Sequence, residues 1–418
     1  MTRTLTRKLA DVKPGTIFVG VDLGLDHNVA VVLSERSARL GRFRFPNDRD
    51  GYDYFHRRLR KLQGQRQAPA ALVGMEPTNY FWKLLAADLE RRQVDYRLVN
   101  AYTVKKHREG DQLDRSKDDA RDAFTIADLL RTGKFTETQL LHGHYAELRQ
   151  YVAGYDRLRR DVRREMNLIR NITGQLFPEL SSVFKDLTGQ TALAMLRRHA
   201  AAVTIRQLSV EAFIAGVRAD LVGRRLAVSK LRHAHQLAVV SVGLQEGIQA
   251  LQLALRQHIQ TLELLRWQLE QTQTALLDTF HGLRESRYLL SMHGLGAITA
   301  AFILAEIGDP RNYRHAGQWV KLAGTQPVSN TSGRKSSSRT PMSHKGRARL
   351  RTALFFAVMR LVQVDDAFAR EYQRFQQREQ NPLTKMQALG ALMNRLLRIL
   401  WALVRHQRFY DPHYQLSA

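Results

Sequence analysis

The stretch TIFVGVD at residues 16–22 alternates little, is apolar almost throughout, and ends in a carboxylate, as expected of a strand buried in a sheet. Similar β-rich runs follow at residues 28–33 and 70–76, and residues 39–45 alternate apolar with basic side chains. Another strand is predicted at residues 96–100, and helices are predicted after the third and fourth strands. Three consecutive strands followed by strand–helix alternation predict an α/β domain with a mixed sheet over residues 15–135.

Residues 142–282 lose the strand pattern and are predicted to be helical. Apolar residues recur there with steps of three and four, as in the seam of a coiled coil. The seam consists of Leu237, Val240, Leu244, Ile248, Leu251, Leu255, His258, Leu262, Leu265 and Leu269. An earlier amphipathic run beginning at Leu148 is a candidate partner. The pattern fits a helical hairpin within one chain and an oligomerisation stalk equally well.

Residues 283–418 are predicted to form a mainly α-helical, basic domain. Gly294 and Gly296, between two helical runs, resemble a helix-hairpin-helix element whose backbone amides would bind a DNA phosphate, although an ordinary helical turn has the same pattern. From Arg311 to Arg360 there are eleven Lys or Arg and no Asp or Glu. A run of one sign this long favours contact with phosphates.

Composition indicates a polyanionic partner and excludes several chemistries. The 418 residues contain 65 Lys and Arg against 39 Asp and Glu, a net charge of +26, which favours nucleic acid. The absence of cysteine excludes disulfides, thiolate zinc sites and cysteine nucleophiles. No secretory signal and no apolar run long enough to span a bilayer is seen. We therefore expect a cytoplasmic, nucleoid-associated protein that does not bind membranes.

Four carboxylates in the first domain are candidate metal ligands and catalytic groups. They are two acids that end predicted strands, Asp22 and Glu76, and two acids one helical turn apart, Asp119 and Asp122. Clustered carboxylates need a cation, and hard oxygen ligands suit Mg²⁺, as one ion or as a pair about 4 Å apart. Asp118 with Asp122 is a rival pair. Each acid alone is also explained as a turn, strand-end or helix-surface residue.

A serine-rich loop supplies a candidate nucleophile. Ser332 precedes a glycine, and the cations Arg334, Lys335 and Arg339 near it would hold a phosphate. Most of the neighbouring serines are expected to be ordinary loop residues. The basic residues that follow, predicted to contact the nucleic-acid backbone or to form a solvated face, are Lys345, Arg347, Arg349 and Arg351.

Taken together, these motifs resemble the DEDD-type insertion-sequence transposases with a C-terminal serine, the bridge-RNA-guided recombinases. The order of the four acids is that of RNase H-like nucleases of the RuvC kind. The matching motifs are Lys117-x-Asp119-x-x-Asp122-Ala123, Gly294-Leu295-Gly296, Leu304-Ala-Glu-Ile-Gly-Asp309, Gly324-x-x-Pro327, Ser332-Gly333 and Lys345-Gly-x-x-x-Leu-Arg351. The chain departs from the family at Met292-His293, where a proline is usual, and at the doublet Asp118–Asp119.

The resemblance implies a composite active site. Asp22, Glu76, Asp119 and Asp122 would bind Mg²⁺ and engage the scissile phosphate, while Ser332, from the same or another protomer, would form a phosphoserine–DNA link. It further implies target and donor DNA chosen by pairing with a structured non-coding RNA, and dimers that pair into a tetramer. A basic chain binds the backbone and shape of nucleic acid, which fits a family in which the RNA recognises the DNA sequence.

Three other functions use the same residues. A RuvC-like structure-selective nuclease would activate water with the carboxylates and leave Ser332 idle. A non-catalytic nucleic-acid-binding protein would retain the scaffold alone. A sugar-kinase-like ATPase would use Asp22-Leu-Gly24 as a phosphate loop, but no second glycine-rich loop follows a strand in the C-terminal half.

Overall fold

In the computed structural model, five strands form a mixed sheet in the order β3-β2-β1-β4-β5. The strands are β1 (Ile17–Asp22), β2 (His27–Leu33), β3 (Arg39–Pro46), β4 (Ala71–Met75) and β5 (Asp95–Leu98). The first three strands pair antiparallel, whereas β4 pairs parallel with both β1 and β5. The predicted mixed α/β sheet is therefore confirmed, with strand bounds shifted by one or two residues.

The structure describes residues 8–10, 12–77, 80–111, 118–136, 140–221, 226–328, 331–332, 335–336 and 341–412. Backbone contacts divide the chain into two compact units, Met1–Leu140 and Leu141–Ala418. The predicted helical middle and the predicted C-terminal domain both fall in the second unit, and their separation at residues 282–283 remains a prediction. No helix among the described residues combines the length and apolar composition needed to cross a membrane.

Helices cover both faces of the sheet in the first unit. They are α1 (Arg49–Arg66), α2 (Phe81–Arg91), α3 (Ala101–Asp111) and α4 (Asp119–Arg131). Val19 and Val21 of β1 face the core that includes α1 and α2, because alternate residues of a strand point to opposite sides. Phe18 faces the other side, where it packs with α4.

Gly20 is the point at which α4 lies directly on the sheet. A Cβ atom at this position would lie 1.9 Å from the carbonyl oxygen of Ala123 and 2.5 Å from the amide nitrogen of Ala127. Alanines of α4 continue the close contact over β2, in a cluster that includes Val29 and Val31. The small residues on both elements therefore fix the distance of α4 from β1.

The described part of the second unit consists mainly of helices, with one short hairpin. Its longest helices are α5 (Gly143–Leu176) and α11 (Ile248–His281). Between them lie α6 (Leu180–Val183), α7 (Gln190–Arg198), α8 (Ala202–Ile205), α9 (Val210–Ala219) and α10 (Val228–Val239). After them come α12 (Glu285–Leu290), α13 (Ala297–Ile307), α14 (Ala316–Ala323), β6 (Thr331–Ser332), β7 (Lys335–Ser336), α15 (Ala348–Val364), α16 (Asp366–Gln377) and α17 (Lys385–His406).

Helices α5 and α11 pack antiparallel within the one chain. The Tyr155 hydroxyl donates to Gln273 at 3.3 Å, and His258 bonds Glu165 at 2.7 Å, so the sequence order reverses between the two helices. Ile259 of α11 is fully buried in a core shared with α5. The intramolecular antiparallel pairing is thus present in the chain, although five described helices separate the two partners, and an oligomerising role remains a prediction.

The predicted seam is too long at its N-terminal end. Helix α10 ends at Val239 and α11 begins at Ile248, so the continuous helix expected from Leu237 onwards is wrong. Gly247 has φ +67°, and a Cβ atom on Gly243 would lie 2.3 Å from the carbonyl oxygen of Leu176. These glycines let the chain turn and approach the end of α5, which overrides the apolar period.

The Gly294 turn between α12 and α13 is built against the core. Gly294 has φ +93°, and a Cβ atom there would lie 2.5 Å from Val364 Cγ2. Met292 and Leu295 beside it are buried, while Gly296 is exposed and caps α13. The segment is a helical turn between two helices, and its predicted phosphate-binding role remains a prediction.

Candidate functional site

Two of the predicted carboxylates follow neighbouring parallel strands. Val21 of β1 is in register with Met75 of β4, so the next residues along the chain, Asp22 and Glu76, reach the same edge of the sheet. Both are partly buried. Because the carboxyl ends of adjacent parallel strands meet at one edge, strand order alone brings these two acids into one neighbourhood.

The acidic pair lies in the first turn of α4. Asp119 is the first helical residue and is exposed, whereas Asp122 is partly buried one turn further on. Asp118 lies outside the helix as its N-cap, and its carboxylate accepts a hydrogen bond from the amide of Ala120 at 3.1 Å. Negative charge at a helix N-terminus is favourable, so the doublet also stabilises the start of α4.

Packing fixes which end of α4 faces the strand ends. Phe18, near the start of β1, shares a core cluster with Leu130 near the end of α4. Val29, which is the register partner of Asp22, shares a different cluster with Ala120 in the first turn. Helix α4 therefore runs opposite to β1, and its acidic first turn lies toward the Asp22 end.

The donor atoms suit a hard divalent cation, but the side chains as placed do not form a closed site. Within the described part of the chain, no three His, Asp or Glu side chains lie together as metal ligands would. The backbone therefore places the four acids at one end of the first unit. Their carboxylate oxygens do not surround a common point as the ligands of a metal ion would.

Asp128, another acid of α4, has a structural role. It accepts hydrogen bonds from Arg131 at 2.6 and 3.0 Å and pairs with His107 at 3.2 Å. Burial raises the pKa of Asp128, but the hydrogen bond and charge of Arg131, followed by those of His107, outweigh it and lower the pKa below its ordinary value. Asp128 is therefore a charged anchor of α4 at neutral pH.

The predicted nucleophile lies in the second unit, at the end of a hairpin. Thr331 pairs with Ser336 and Ser332 pairs with Lys335, so a two-residue connection joins β6 to β7. Only the backbone of Ser332 and Lys335 is described, and the predicted cations Arg334 and Arg339 lie outside the described residues, as do Gly333 and Lys117.

The base of this hairpin is bonded into the helical core. An antiparallel bridge joins Pro327 to Met342, and the amide of Val328 donates to the carbonyl of Pro341. Buried Thr325 accepts a hydrogen bond on its carbonyl from Asn394 of α17 at 3.0 Å. The hairpin that carries Ser332 is thus held at its root by contacts on both strands.

Two of the predicted phosphate-contacting arginines stabilise that root. Arg351 donates to the carbonyls of Ala323 and Gly346 at 3.0 Å each, and the Arg347 side chain donates to the carbonyl of Glu306. The predicted phosphate contact depends on a basic run that contains no acid. Glu306, which lies outside that run, pairs with two of its cations, Arg347 and Arg349.

Glu306 is the centre of a buried ionic network. It is 7% exposed and accepts from Arg349 at 2.9 Å, while Arg347 lies 3.8 Å from its other oxygen. Asp156 of α5 binds Arg349 from the other side at 3.2 Å. Burial lowers the pKa of Arg349, but its bonds to Glu306 and Asp156 outweigh that effect and raise it.

Arg149 of α5 completes the network on the backbone side. It donates to the carbonyls of Ala305 and Glu306 at 2.8 and 2.9 Å. Burial, and then the charge of Arg347, lower the pKa of Arg149 to about 10. The sequence motif around Glu306 does not reveal this role, because the arginine partners lie far away in the chain.

Of the predicted nucleic-acid contacts in the described second unit, Lys345 and Gly296 are exposed. Arg347 and Arg349 expose 26% and 32% of their side chains and are paired within the chain. The basic run is therefore divided between exposed residues and residues that serve the fold, and the premise that it is wholly uncompensated is wrong.

Two family models match the chain, the first over most of the first unit and into α5, the second within the second unit. A model for DEDD transposases of the IS110 type, described as "Transposase", matches residues 19–178. A model described as "Transposase IS116/IS110/IS902 family" matches residues 286–373. The first contains the four carboxylates and implies dependence on a divalent metal ion; the second contains Ser332 and Glu306.

Curated relatives agree with these matches. The mini-circle putative transposase for IS117 of Streptomyces coelicolor is 26% identical over 77% of this chain and 78% of its own. An uncharacterized 44.8 kDa protein of insertion element IS116 from Streptomyces clavuligerus is 25% identical over 95% of this chain and 96% of its own. The pilin gene-inverting protein of Moraxella bovis is 32% identical over 29% of this chain and 38% of its own.

The DNA-rearranging relatives and the two matched domains point to the same activity. Transposases act on DNA, and the family models together cover more than half of the chain. The protein is an enzyme of DNA transposition and recombination, and the chain belongs to the IS110 family of transposases.

Proposed function

We propose that this transposase cuts and rejoins DNA strands with the carboxylates of the first unit and with Ser332 of the second. The observation that carries the proposal is the common edge reached by Asp22 and Glu76 on parallel strands, with the acidic first turn of α4 at the same end. Asp22 and Asp122 are a hundred residues apart in the chain, so it is the fold that brings them to the same end of the unit. This placement supports a shared role for the acids.

Asp22, Glu76, Asp119 and Asp122 would hold Mg²⁺, as one ion or a pair, which when bound supplies positive charge to the scissile phosphate and its leaving oxygen. The protein's own part is to present the oxygens on rigid elements. Asp22 is paired with Val29 of β2, Glu76 directly follows the paired residue Met75, and Asp122 precedes Ala123, whose backbone packs on Gly20.

Ser332 would be the nucleophile. Its Oγ forms a bond to phosphorus while one phosphorus–oxygen bond of the DNA backbone breaks; the hydroxyl proton leaves to a base and the departing sugar oxygen takes up a proton. The phosphodiester energy is conserved in the phosphoserine link, so a second DNA end can reverse the step and join. A tip position on a hairpin with a bonded root suits a group that must reach a phosphate.

A test of the serine step uses supercoiled donor DNA and looks for protein–DNA adducts that survive denaturation. We expect wild type to form the adduct, Ser332→Ala to form none, and Ser336→Ala, on the opposite strand of the same hairpin, to behave as wild type. Continued DNA cleavage by Ser332→Ala at the wild-type rate would instead indicate a nuclease that uses water.

A test of the carboxylates compares neighbours in α4. Asp122→Asn should abolish cleavage, whereas Asp118→Asn should retain it, because asparagine caps a helix as well as aspartate does. Equal loss in both variants would remove the proposed distinction. If Asp22→Asn and Asp122→Asn both left transposition in cells unchanged, the protein would be a non-catalytic nucleic-acid-binding protein.

We further propose that a structured RNA from the element's flanking DNA selects target and donor, and that dimers pair into tetramers. The strong positive charge of the chain supports binding to the phosphate backbone of nucleic acid, with the DNA sequence recognised by the RNA. Purified protein should recombine DNA only when the flanking transcript is added, and changing the RNA's internal loops should redirect the target. Full activity after ribonuclease treatment would refute RNA guidance.

A further inference from the structure

Helix α5 carries a dense group of exposed arginines that none of the proposed steps uses. Six arginines occur between positions 157 and 170, and each is exposed. They are Arg157, Arg159, Arg160, Arg163, Arg164 and Arg170. Six like charges within four helical turns repel one another, so such a group is stabilised by a partner of opposite charge.

The acids of the same stretch do not balance this charge. Asp156 is shared between Arg349 at 3.2 Å and Arg160 at 3.8 Å. Glu165 is buried and pairs with His258 of α11. Asp161 is partly buried and is the third acid in the stretch. Glu165 is therefore committed to the interior and Asp156 is shared with Arg349, so the six exposed arginines outnumber the acids left to balance them.

The arginines are arranged along the helix rather than around one point. With 100° of rotation per residue, Arg157, Arg160 and Arg164 form one stripe, which Asn167 and Asn171 continue toward the end of α5. The stripe is about 21 Å long at 1.5 Å per residue. Phosphates follow one another every 3.4 Å along the axis of a strand, so several lie within reach of such a row.

The stripe differs from the basic run that the sequence singled out. Arg347 and Arg349 are bound to Glu306, whereas Arg157 and Arg164 form no ion pair with any residue of the described ranges. Guanidinium groups that remain in solvent keep their donors available for phosphate oxygens, and the asparagine amides add further donors. The interior arginines cannot serve a ligand without leaving a buried carboxylate unpaired.

We propose that the outer face of α5 is a sequence-independent binding surface for the phosphate backbone of nucleic acid. Duplex DNA and structured RNA share this chemistry, and binding experiments distinguish them. The inference rests on the nucleic-acid-binding part of the proposed function and is independent of Ser332 and the carboxylates. It assigns the helical middle of the chain a role in holding the substrate.

The test variant is R157Q/R160Q/R164Q, since glutamine keeps helix propensity and removes charge. The matched control, R218Q/R232Q/R398Q, removes the same charge from exposed positions on α9, α10 and α17. Binding of the full-length protein to a random 30-base-pair duplex and to an RNA hairpin of similar length is measured by fluorescence anisotropy over a salt series.

We expect the stripe variant to bind about tenfold to a hundredfold more weakly, and the slope of log K against log salt to fall by about 2 to 3, because each lost phosphate contact removes about 0.9 from the slope. Weaker binding to only one of the two probes supports the inference and identifies that nucleic acid as the ligand of the surface. Binding equal to that of the control refutes it, as does a loss explained wholly by a changed oligomeric state in light scattering. Failure of wild type to bind either probe would refute the proposed function itself.

Discussion

Glu306→Gln tests whether the buried carboxylate holds the second unit together. The carboxylate bonds Arg349 at 2.9 Å and has Arg347 3.8 Å away, and Arg149 donates to the backbone carbonyl of the same residue. Glutamine preserves the size of the side chain and removes the charge. It also presents an amide donor to guanidinium groups that are themselves donors only.

The magnitude follows from burial. Removing one partner of a buried ion pair costs about 3–5 kcal/mol because the other charge is left uncompensated. The side chains of Arg347 and Arg349 are 26% and 32% exposed, and Asp156 still binds Arg349, so we expect the lower end, about 3 kcal/mol. At about 2–4 °C per kcal/mol for a unit of this size, the melting temperature falls by about 6–12 °C.

The assay is thermal unfolding of the full-length protein followed by calorimetry. The control is Glu263→Gln, whose carboxylate is 48% exposed and pairs with a similarly exposed arginine, Arg197. Exposed pairs contribute at most about 1 kcal/mol, so the control should shift by no more than about 4 °C. We also expect trypsin to cleave within residues 326–343 faster in Glu306→Gln at temperatures where it is folded. A variant that melts with the control and is cleaved at the wild-type rate would refute the anchoring role.

Two further predictions concern the first unit. Gly20→Ala places a Cβ atom 1.9 Å from the carbonyl oxygen of Ala123, so the free energy of unfolding should fall by about 1–3 kcal/mol or more. In the control Gly64→Ala, the new Cβ atom has nothing within 4 Å, and the free energy of unfolding should rise by about 0.5–1 kcal/mol. Equal effects of the two substitutions would contradict the close packing of α4. Asp128→Asn should destabilise the folded protein at pH 7. The pKa of Asp128 is lower in the folded state than its unfolded value near 4, so the ionised carboxylate stabilises the fold above that value. This stability is lost as the pH falls through the folded-state pKa. Melting curves of wild type and variant should therefore converge in acid, and a constant gap would be contrary to this prediction.

The elements of the first unit were predictable because each carries a local signal. Apolar runs ending at Asp22 and Met75 have the length and composition of buried strands, and the acids after them were identified from the same pattern. The acidic pair of α4 follows from helical spacing, and the roles of Asp118 and Asp119 separate once the N-cap is seen. That Asp22 and Glu76 reach the same edge of the sheet depends on strand order, which periodicity does not contain.

The errors in the second unit have one cause. The period of apolar residues from Leu237 continues across Gly243 and Gly247, and a glycine costs a helix only about 1 kcal/mol, so the sequence alone predicts one continuous helix. A close contact with Leu176, in a distant part of the chain, decides the break. The basic run is unbalanced in the sequence for the same reason, because its partners Glu306 and Asp156 lie outside it.

The sequence by itself determined the strands, the helical regions, the positive charge and the candidate acids and serine, because periodicity and residue chemistry are local properties of the chain. Only the tertiary structure decided which arginines are free to meet a phosphate. Arg349 and Arg157 are chemically the same, but one is packed against Glu306 and the other is exposed on α5. Pairing between charges far apart in sequence depends on how the helices pack, and that packing exists only in the folded chain.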